Sequence, residues 1–312
     1  MYFPYLRGKQ YEWIALRELS QLIADNEEII PIIELVKENF STLNRSLKAF
    51  KESKMPFIII INPQVGELVR GSSKLIKELQ NHNFELNKNA HVGFIIHIKT
   101  EMQEIKKFFK DYRECNICLI HYCNFSKVPE LKSLISNNST FKYNLFIESK
   151  TGRRYRRLFR NLKNVLIEDG FEKRRNQDYP PDEFFSDLHI IYKDEGYAGF
   201  GDFLIVGDSY SPTGGPAYAV AIHMTYINNE EDMWIKHFIS ESRGTPVDPA
   251  GKFLEALEKL VKYVRSRKNE IYISDACNEF KSLYRAQHFP GLGYVKKLSM
   301  KHHIELIDKS VL

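Results

Sequence analysis

The chain has 312 residues, of which 43% are hydrophobic and 13% aromatic, enough apolar side chain for a large core and too much for a disordered or fibrous protein. Its 45 Lys and Arg against 40 Asp and Glu leave a net charge of +5, a bias too mild to point to nucleic acid by itself. The longest unbroken aliphatic stretch, 57–61, is far below the ~20 residues of a membrane span, and the opening MYFPYLRGKQ lacks a basic segment followed by an apolar one, so a soluble cytoplasmic protein is expected.

Eight short β-branched or aliphatic runs, 2–6, 29–35, 57–61, 92–98, 117–120, 143–147, 164–167 and 203–206, are each followed by a polar residue and a loop, with amphipathic stretches filling the gaps. Alternating strands and helices predict a parallel sheet, because each crossover climbs back over one face, and eight of them predict a closed α/β (β/α)8 TIM-like barrel. The first helix, about 10–24, carries Trp13, Ile14, Leu16, Leu19, Leu22 and Ile23 at helical spacing. Further helices are predicted at 41–53 with Ser41 as N-cap, 71–81, 100–112 capped by Thr100, 127–136 and 152–162.

After the seventh strand the rhythm changes. Residues 170–181 are long and polar, 182–195 are predicted as a helix with Pro180 and Pro181 in its first turn, and 203–206 as the eighth strand, entered tightly through Gly199-Phe200-Gly201-Asp202. The runs 217–227 and 233–240, joined by the polar turn 228–232, predict an antiparallel hairpin inserted at the barrel mouth. A helix follows at 249–268, and 269–312 form a C-terminal extension with a strand-like 271–273, a helical stretch and His302-His303. Because 312 residues exceed the roughly 250 of one such barrel, a single domain with these additions is expected. Cys115, Cys118, Cys123 and Cys277 suit neither a disulfide framework nor, lacking a fourth ligand, a metal site; they are expected as buried thiols in a reducing cytosol.

In a parallel barrel the loops after the strands open on one face, so strand-end residues converge there. Glu34 and Glu148 end otherwise aliphatic strands, and a buried carboxylate is costly unless a cation or donor meets it. Two readings follow. Such residues can simply pair with one another, Glu34 with Lys9 and Glu148 with Lys99. Alternatively, Glu34, Asn62, Glu148 and Asp169 hold a hard divalent cation such as Mg²⁺, with His97, His121 and Lys9 as proton-handling groups.

The loops after strands seven and eight are the usual phosphate site of this architecture. Here they contribute Lys173, Arg174, Arg175 and Asn176 from the first, and Asp208, Thr213, Gly214 and Gly215 from the second, either as an anion cradle or as a solvated loop and a hairpin entry. The segment Arg153-Arg154-Tyr155-Arg156-Arg157-Leu158-Phe159-Arg160 reads as an outer helix with Arg153, Arg156, Arg157 and Arg160 spread over exposed faces. It suits either a phosphodiester backbone or a partner protein. No Walker loop, HExxH, GxSxG or dinucleotide fingerprint occurs.

The words Tyr5-Leu6-Arg7-Gly8-Lys9-Gln10-Tyr11-Glu12, Pro31-Ile32-Ile33-Glu34, Asn176-x-Asp178-Tyr179-Pro180, Gly199-Phe200-Gly201-Asp202-Phe203, the run from Gly214 to His223 and Lys236-His237-Phe238-x-Ser240 resemble the "beta protein" family of bacteria and their phages, over nearly the whole chain. The resemblance implies a prokaryotic protein of antiviral or mobile-element defence loci, often beside a nuclease-like partner, and no established reaction. It also brings forward Asp202, His223, Lys236 and His237. His223 alternates with apolar residues, so it reaches a ligand if the side it shares with Ala219 and Ala221 faces the mouth, and is a buried donor otherwise. Two functions are therefore expected as rivals. One is a barrel binding a nucleotide or nucleic acid at its mouth, with metal-dependent phosphodiester hydrolysis. The other is a non-catalytic binding or sensor subunit working with a nuclease-like partner.

Overall fold

The computed structural model describes residues 1–70, 72–81 and 88–312. Two compact units emerge: Met1–Trp13, Arg17–Asp169 and Ile191–Phe203 form the first, and Ile14–Leu16, Gly170–Ile190 and Leu204–Leu312 the second.

The first unit is the barrel. Its strands are β1 (Tyr5–Leu6), β2 (Ile32–Glu34), β3 (Phe57–Ile60), β4 (Ala90–Ile96), β5 (Asn116–His121), β6 (Phe141–Ile147), β7 (Asn164–Glu168) and, after a strand β8 (Asp182–Ser186) that belongs to the second unit, β9 (Gly199–Asp202). They pair in parallel in the order β1-β2-β3-β4-β5-β6-β7-β9. Tyr2 bridges both Ile29 and Phe200, and Phe3 N–H donates to the Phe200 carbonyl at 2.8 Å, so the N-terminal segment brings the last strand back to the first. Successive strand residues point to opposite faces, and the inward set, including Ile32, Ile58, Ile60, Ile95, Ile120, Leu145, Ile147, Val165 and Ile167, packs with Phe3, Tyr5 and Phe203 into one interior cluster.

The eighth barrel strand is Gly199–Asp202, four residues before the aliphatic run 203–206 that marked it in the sequence. A Cβ on Gly199 would lie 2.7 Å from the Phe3 ring, and one on Gly201 would overlap the Phe3 carbonyl. Glycine is what lets the first and last strands approach, so the residues that read as a strand entry are the strand. Phe203 and Leu204 are buried just beyond it, with Leu204 at φ 52.

Helices α1 (Gln10–Glu18), α2 (Ser20–Asn26), α3 (Ser41–Ser53), α4 (Ser72–Asn81), α5 (Met102–Asp111), α6 (Val128–Ser136) and α7 (Arg153–Arg156) alternate with these strands. The single helix expected over 10–24 is broken at Leu19, where the Ser20 hydroxyl donates to the Arg17 carbonyl at 2.9 Å. Gly71, expected to open the fourth helix, lies outside the described residues. Thr100 does not cap α5: its hydroxyl accepts from His97 N–H, and Glu101 and Glu104 form a reciprocal capping box instead. Residue 40 is the N-cap of α3, with no side-chain bond, rather than Ser41.

The second unit holds β8, a helical turn α8 (Leu188–Ile191), β10 (Ala221–Ile227), β11 (Met233–Ile239), α9 (Pro249–Val264), α10 (Asp275–Ala286) and α11 (Leu292–Ser310). The expected hairpin is β10–β11, and its free edge is taken by β8, giving an antiparallel sheet β10-β11-β8. The helix expected over 182–195 is thus a strand followed by one turn. Partners on β11 supply a ladder that no local pattern announces, and the Pro181 carbonyl continues it by accepting from His237 N–H at 2.9 Å. Val220, Ile222, Met224 and Tyr226 pack with Phe253, Leu257, Leu260, Val261, Phe280 and Leu298 into a separate core. Residues 271–273 form no strand. Ser274 caps α10 by accepting from Cys277 N–H at 3.0 Å, and α11 is buried on all sides between Lys297 and Ile307. Among the described residues, no helix is long and apolar enough to cross a membrane.

Candidate functional site

At the carboxyl end of the barrel strands, Glu34 is fully buried and fully bonded. Its Oε2 accepts from the Tyr5 hydroxyl at 2.7 Å and from Arg7 Nη1, and its Oε1 accepts from Gln64 N–H at 2.6 Å. The Arg7 guanidinium also reaches the Tyr122 hydroxyl at 3.4 Å and lies 4.9 Å from the Tyr5 ring centroid and 5.8 Å from that of Phe203. The partner of Glu34 is therefore Arg7, not Lys9. Lys9 is half-buried and starts α1: its carbonyl accepts from the N–H of Glu12 and Trp13, and its own N–H donates to Glu12.

The expected cation ligands do not converge. Asn62 is half-buried with both amide ends spent on β4, its Nδ2 donating to the Ile95 carbonyl at 2.9 Å and its Oδ1 accepting from Ile95 N–H at 2.8 Å. Glu148, half-exposed, faces Arg156 at 3.7 Å rather than Lys99, and Asp169 is exposed. Among the described residues, no three His, Cys, Asp or Glu side chains come together as a metal site. The donor set named for Mg²⁺ therefore does not fit it, because its buried oxygens already serve protein donors.

His97 and His121 do not form a mouth pair either. His97 is half-buried just after β4. His121 follows inward-facing Ile120 and so points outward, where Nδ1 meets the Tyr155 hydroxyl at 2.8 Å, Nε2 meets Asn144 Oδ1 at 3.1 Å, and the ring stacks 4.4 Å from Phe146. Burial pushes its pKa down to about 4, leaving a neutral, fully engaged core imidazole.

The anion-binding candidates lie in the second unit, and most are bonded to protein. Arg174 Nη1 donates to both Glu183 oxygens at 2.6 and 2.7 Å, Arg175 Nε to Asp178 at 2.6 Å, and Asn176 Nδ2 to the Ala219 carbonyl at 2.8 Å. Lys173 is exposed and donates to the Ser209 hydroxyl at 3.2 Å. Asp208 is half-buried. Thr213, Gly214 and Gly215 are exposed, with nothing around either glycine's Cβ position and the Thr213 carbonyl accepting from the Ser211 hydroxyl.

The arginine-rich segment is α7 followed by a 3₁₀ turn, Arg157–Phe159, with Tyr155, Arg156 and Phe159 buried. Arg156 is an internal brace rather than a surface charge: Nε donates to the Tyr197 hydroxyl at 3.0 Å, and Nη1 donates to the Thr151 and Glu148 carbonyls. Arg153, Arg154, Arg157 and Arg160 are exposed, and among the described residues none of the four is paired with a carboxylate.

Strand-end reasoning missed one constellation altogether. In the β10–β11 register His223 stands opposite His237, and their Nδ1 atoms are 2.7 Å apart. His237 Nε2 in turn contacts Glu183 Oε1 on β8 at 3.0 Å. Tyr179 packs against both imidazoles at 4.8 and 4.6 Å, and Phe171 against His223 at 5.2 Å. Burial lowers both pKa values, that of His223 strongly, with the charge of Lys296 adding to the effect there. The signal was present: once the turn is placed at 228–232, positions 223 and 237 face each other. Glu183 was hidden because its segment reads as helix.

Comparison with models of known protein families finds no match to this chain, and comparison with curated proteins finds none either.

Proposed function

We propose that this chain binds a phosphodiester backbone through the exposed arginines of residues 153–160. The observation that carries this reading is that Arg153, Arg154, Arg157 and Arg160 stand exposed on one short, well-anchored segment with no carboxylate set against them among the described residues. Buried Tyr155, Arg156 and Phe159 hold that segment down, so its charges are presented with little ordering cost on binding. Neutralising phosphates with such groups releases condensed counterions, which supplies affinity without base recognition. The resemblance to the beta protein family supports placing that binding in prokaryotic defence against viruses or mobile elements, with hydrolysis of the bound strand as the activity to assay.

The test is fluorescence anisotropy with a labelled single-stranded oligonucleotide across a salt series. Wild-type protein should bind with a steep negative dependence of log K on log salt. Replacing Arg153, Arg154, Arg157 and Arg160 together by Ala should weaken binding and flatten the slope by about 0.7 for each phosphate no longer neutralised. An unchanged slope in a folded quadruple variant would remove the proposal. Leu158, 47% exposed among these arginines, favours a second reading, a non-catalytic subunit docking an acidic face of a nuclease-like partner. Binding of that partner, but not of oligonucleotide, that is lost on Leu158→Ser would select it.

A further inference from the structure

We propose that Glu183, His237 and His223 form a proton relay in the second unit, with His223 Nε2 as the general base of a site that hydrolyses a phosphoester. The proposal stands on the residues of that unit alone and does not depend on the arginine surface.

The proton positions follow from the partners. Arg174 donates to both oxygens of Glu183, which orients the carboxylate as an acceptor, so His237 Nε2 must be the donor in the 3.0 Å contact with Glu183. A neutral His237 then has a bare Nδ1, and the 2.7 Å contact requires His223 Nδ1 to carry the hydrogen. The lone pair of a neutral His223 is therefore on Nε2. That atom has no hydrogen-bond partner among the described residues, although the residue is only 9% exposed.

Two fully buried histidines of this chain are bonded at both ends. His302, fully buried, donates or accepts at both nitrogens, with the Ser274 hydroxyl at 2.8 Å and the Thr225 carbonyl at 2.8 Å. His121 is likewise satisfied at both ends. His223 has one end tied into a hydrogen-bonded line leading to a carboxylate and the other left open, which is the arrangement a base needs. Tyr179 and Phe171 wall the imidazoles and limit water to that open end. A local cation favours an anionic substrate: Lys173, two residues from the Phe171 that packs on His223, is exposed and bonds the Ser209 hydroxyl.

In the step, His223 Nε2 takes a proton from a water as the water oxygen bonds to phosphorus. His223 Nδ1–H shifts toward His237, and the positive charge is spread toward Glu183. The phosphorus–oxygen bond to the leaving group breaks, and the leaving oxygen recovers the proton from Nε2, which restores both imidazoles. No redox partner enters, and the water supplies the only new oxygen.

Two measurements on the full chain test this. Diethyl pyrocarbonate attacks an unprotonated, accessible imidazole nitrogen, so peptide mass mapping should show His223 modified faster than His121 or His302, and inorganic phosphate should slow that modification. Hydrolysis of bis-p-nitrophenyl phosphate and p-nitrophenyl phosphate should be detectable in wild type and fall by about 100-fold or more in His223→Gln. Glu183→Gln retains an acceptor for His237 but removes the charge. It should lower kcat with little change in KM and move the acidic limb of the pH profile to lower pH, against the fixed background of Asp182, Arg174 and Lys296. An unmodified His223, absence of hydrolysis of both esters, or hydrolysis by His223→Gln within about twofold of wild type would each overturn the proposal.

Discussion

The Tyr5 hydroxyl donates to Glu34 Oε2 at 2.7 Å, joining the first two barrel strands through a carboxylate that Arg7 also holds. Removing that carboxylate strands a guanidinium that is only 8% exposed. Glu34→Ala should therefore cost about 3–5 kcal/mol in urea unfolding of the barrel unit. Glu34→Gln, whose single amide oxygen keeps an acceptor for one donor, the Tyr5 hydroxyl or the Gln64 N–H, while filling the same space, should cost clearly less. Equal losses would show that the charge on Glu34 does not matter.

Arg156 should behave as a brace for its exposed neighbours. Lysine can replace its charge but not the fan of bonds to Tyr197, Thr151 and Glu148. Arg156→Lys should destabilise by about 2 kcal/mol. It should also raise protease cleavage after Arg153 and Arg157 under native conditions, read by limited trypsinolysis. A digestion pattern identical to wild type would contradict that role.

Closure of the barrel should be sensitive to a single methyl group. Gly201→Ala puts a carbon into the Phe3 carbonyl and should lower stability by about 1–3 kcal/mol, or shift β9 away from the N-terminal segment, seen as faster amide exchange at Phe3 and Phe200. Gly215→Ala, with open space around it, is the control and should leave the melting temperature unchanged.

Acid should unfold the protein partly through its buried histidines. Burial lowers His91, His121 and His302 from 6.5 to about 4. Between those values the unfolded chain binds protons that the folded chain does not, so their contribution is fully present above about 6.5 and drains away as pH falls toward 4. Each group should add about 1.4 kcal/mol per pH unit to the slope in that window. His121→Gln, compared with wild type at each pH, should remove one such increment. Parallel stability curves for the two proteins would refute the assignment.

Much of the frame was written locally. Seven of the barrel strand runs and the hairpin stand where the short aliphatic runs and the polar turn placed them, because a parallel strand covered on both faces reads as an unbroken apolar run. The inward direction of Ile120 even sets the outward direction of His121, a parity that strand-end counting ignores. Gly199–Asp202 escapes such reading because its defining neighbour is Phe3, almost two hundred residues away, and β8 because its ladder comes from β11.

By itself the sequence determined the alternating strand and helix order of the barrel and the pairing of the hairpin, since each depends on neighbours a few residues apart. Only the tertiary structure decided which polar groups meet: Glu34 with Arg7, Asn62 with the Ile95 backbone, and Glu183 with His237 and His223. A buried charge or imidazole takes whichever partner strand register and chain closure bring within about 3 Å, and that choice has no local signature.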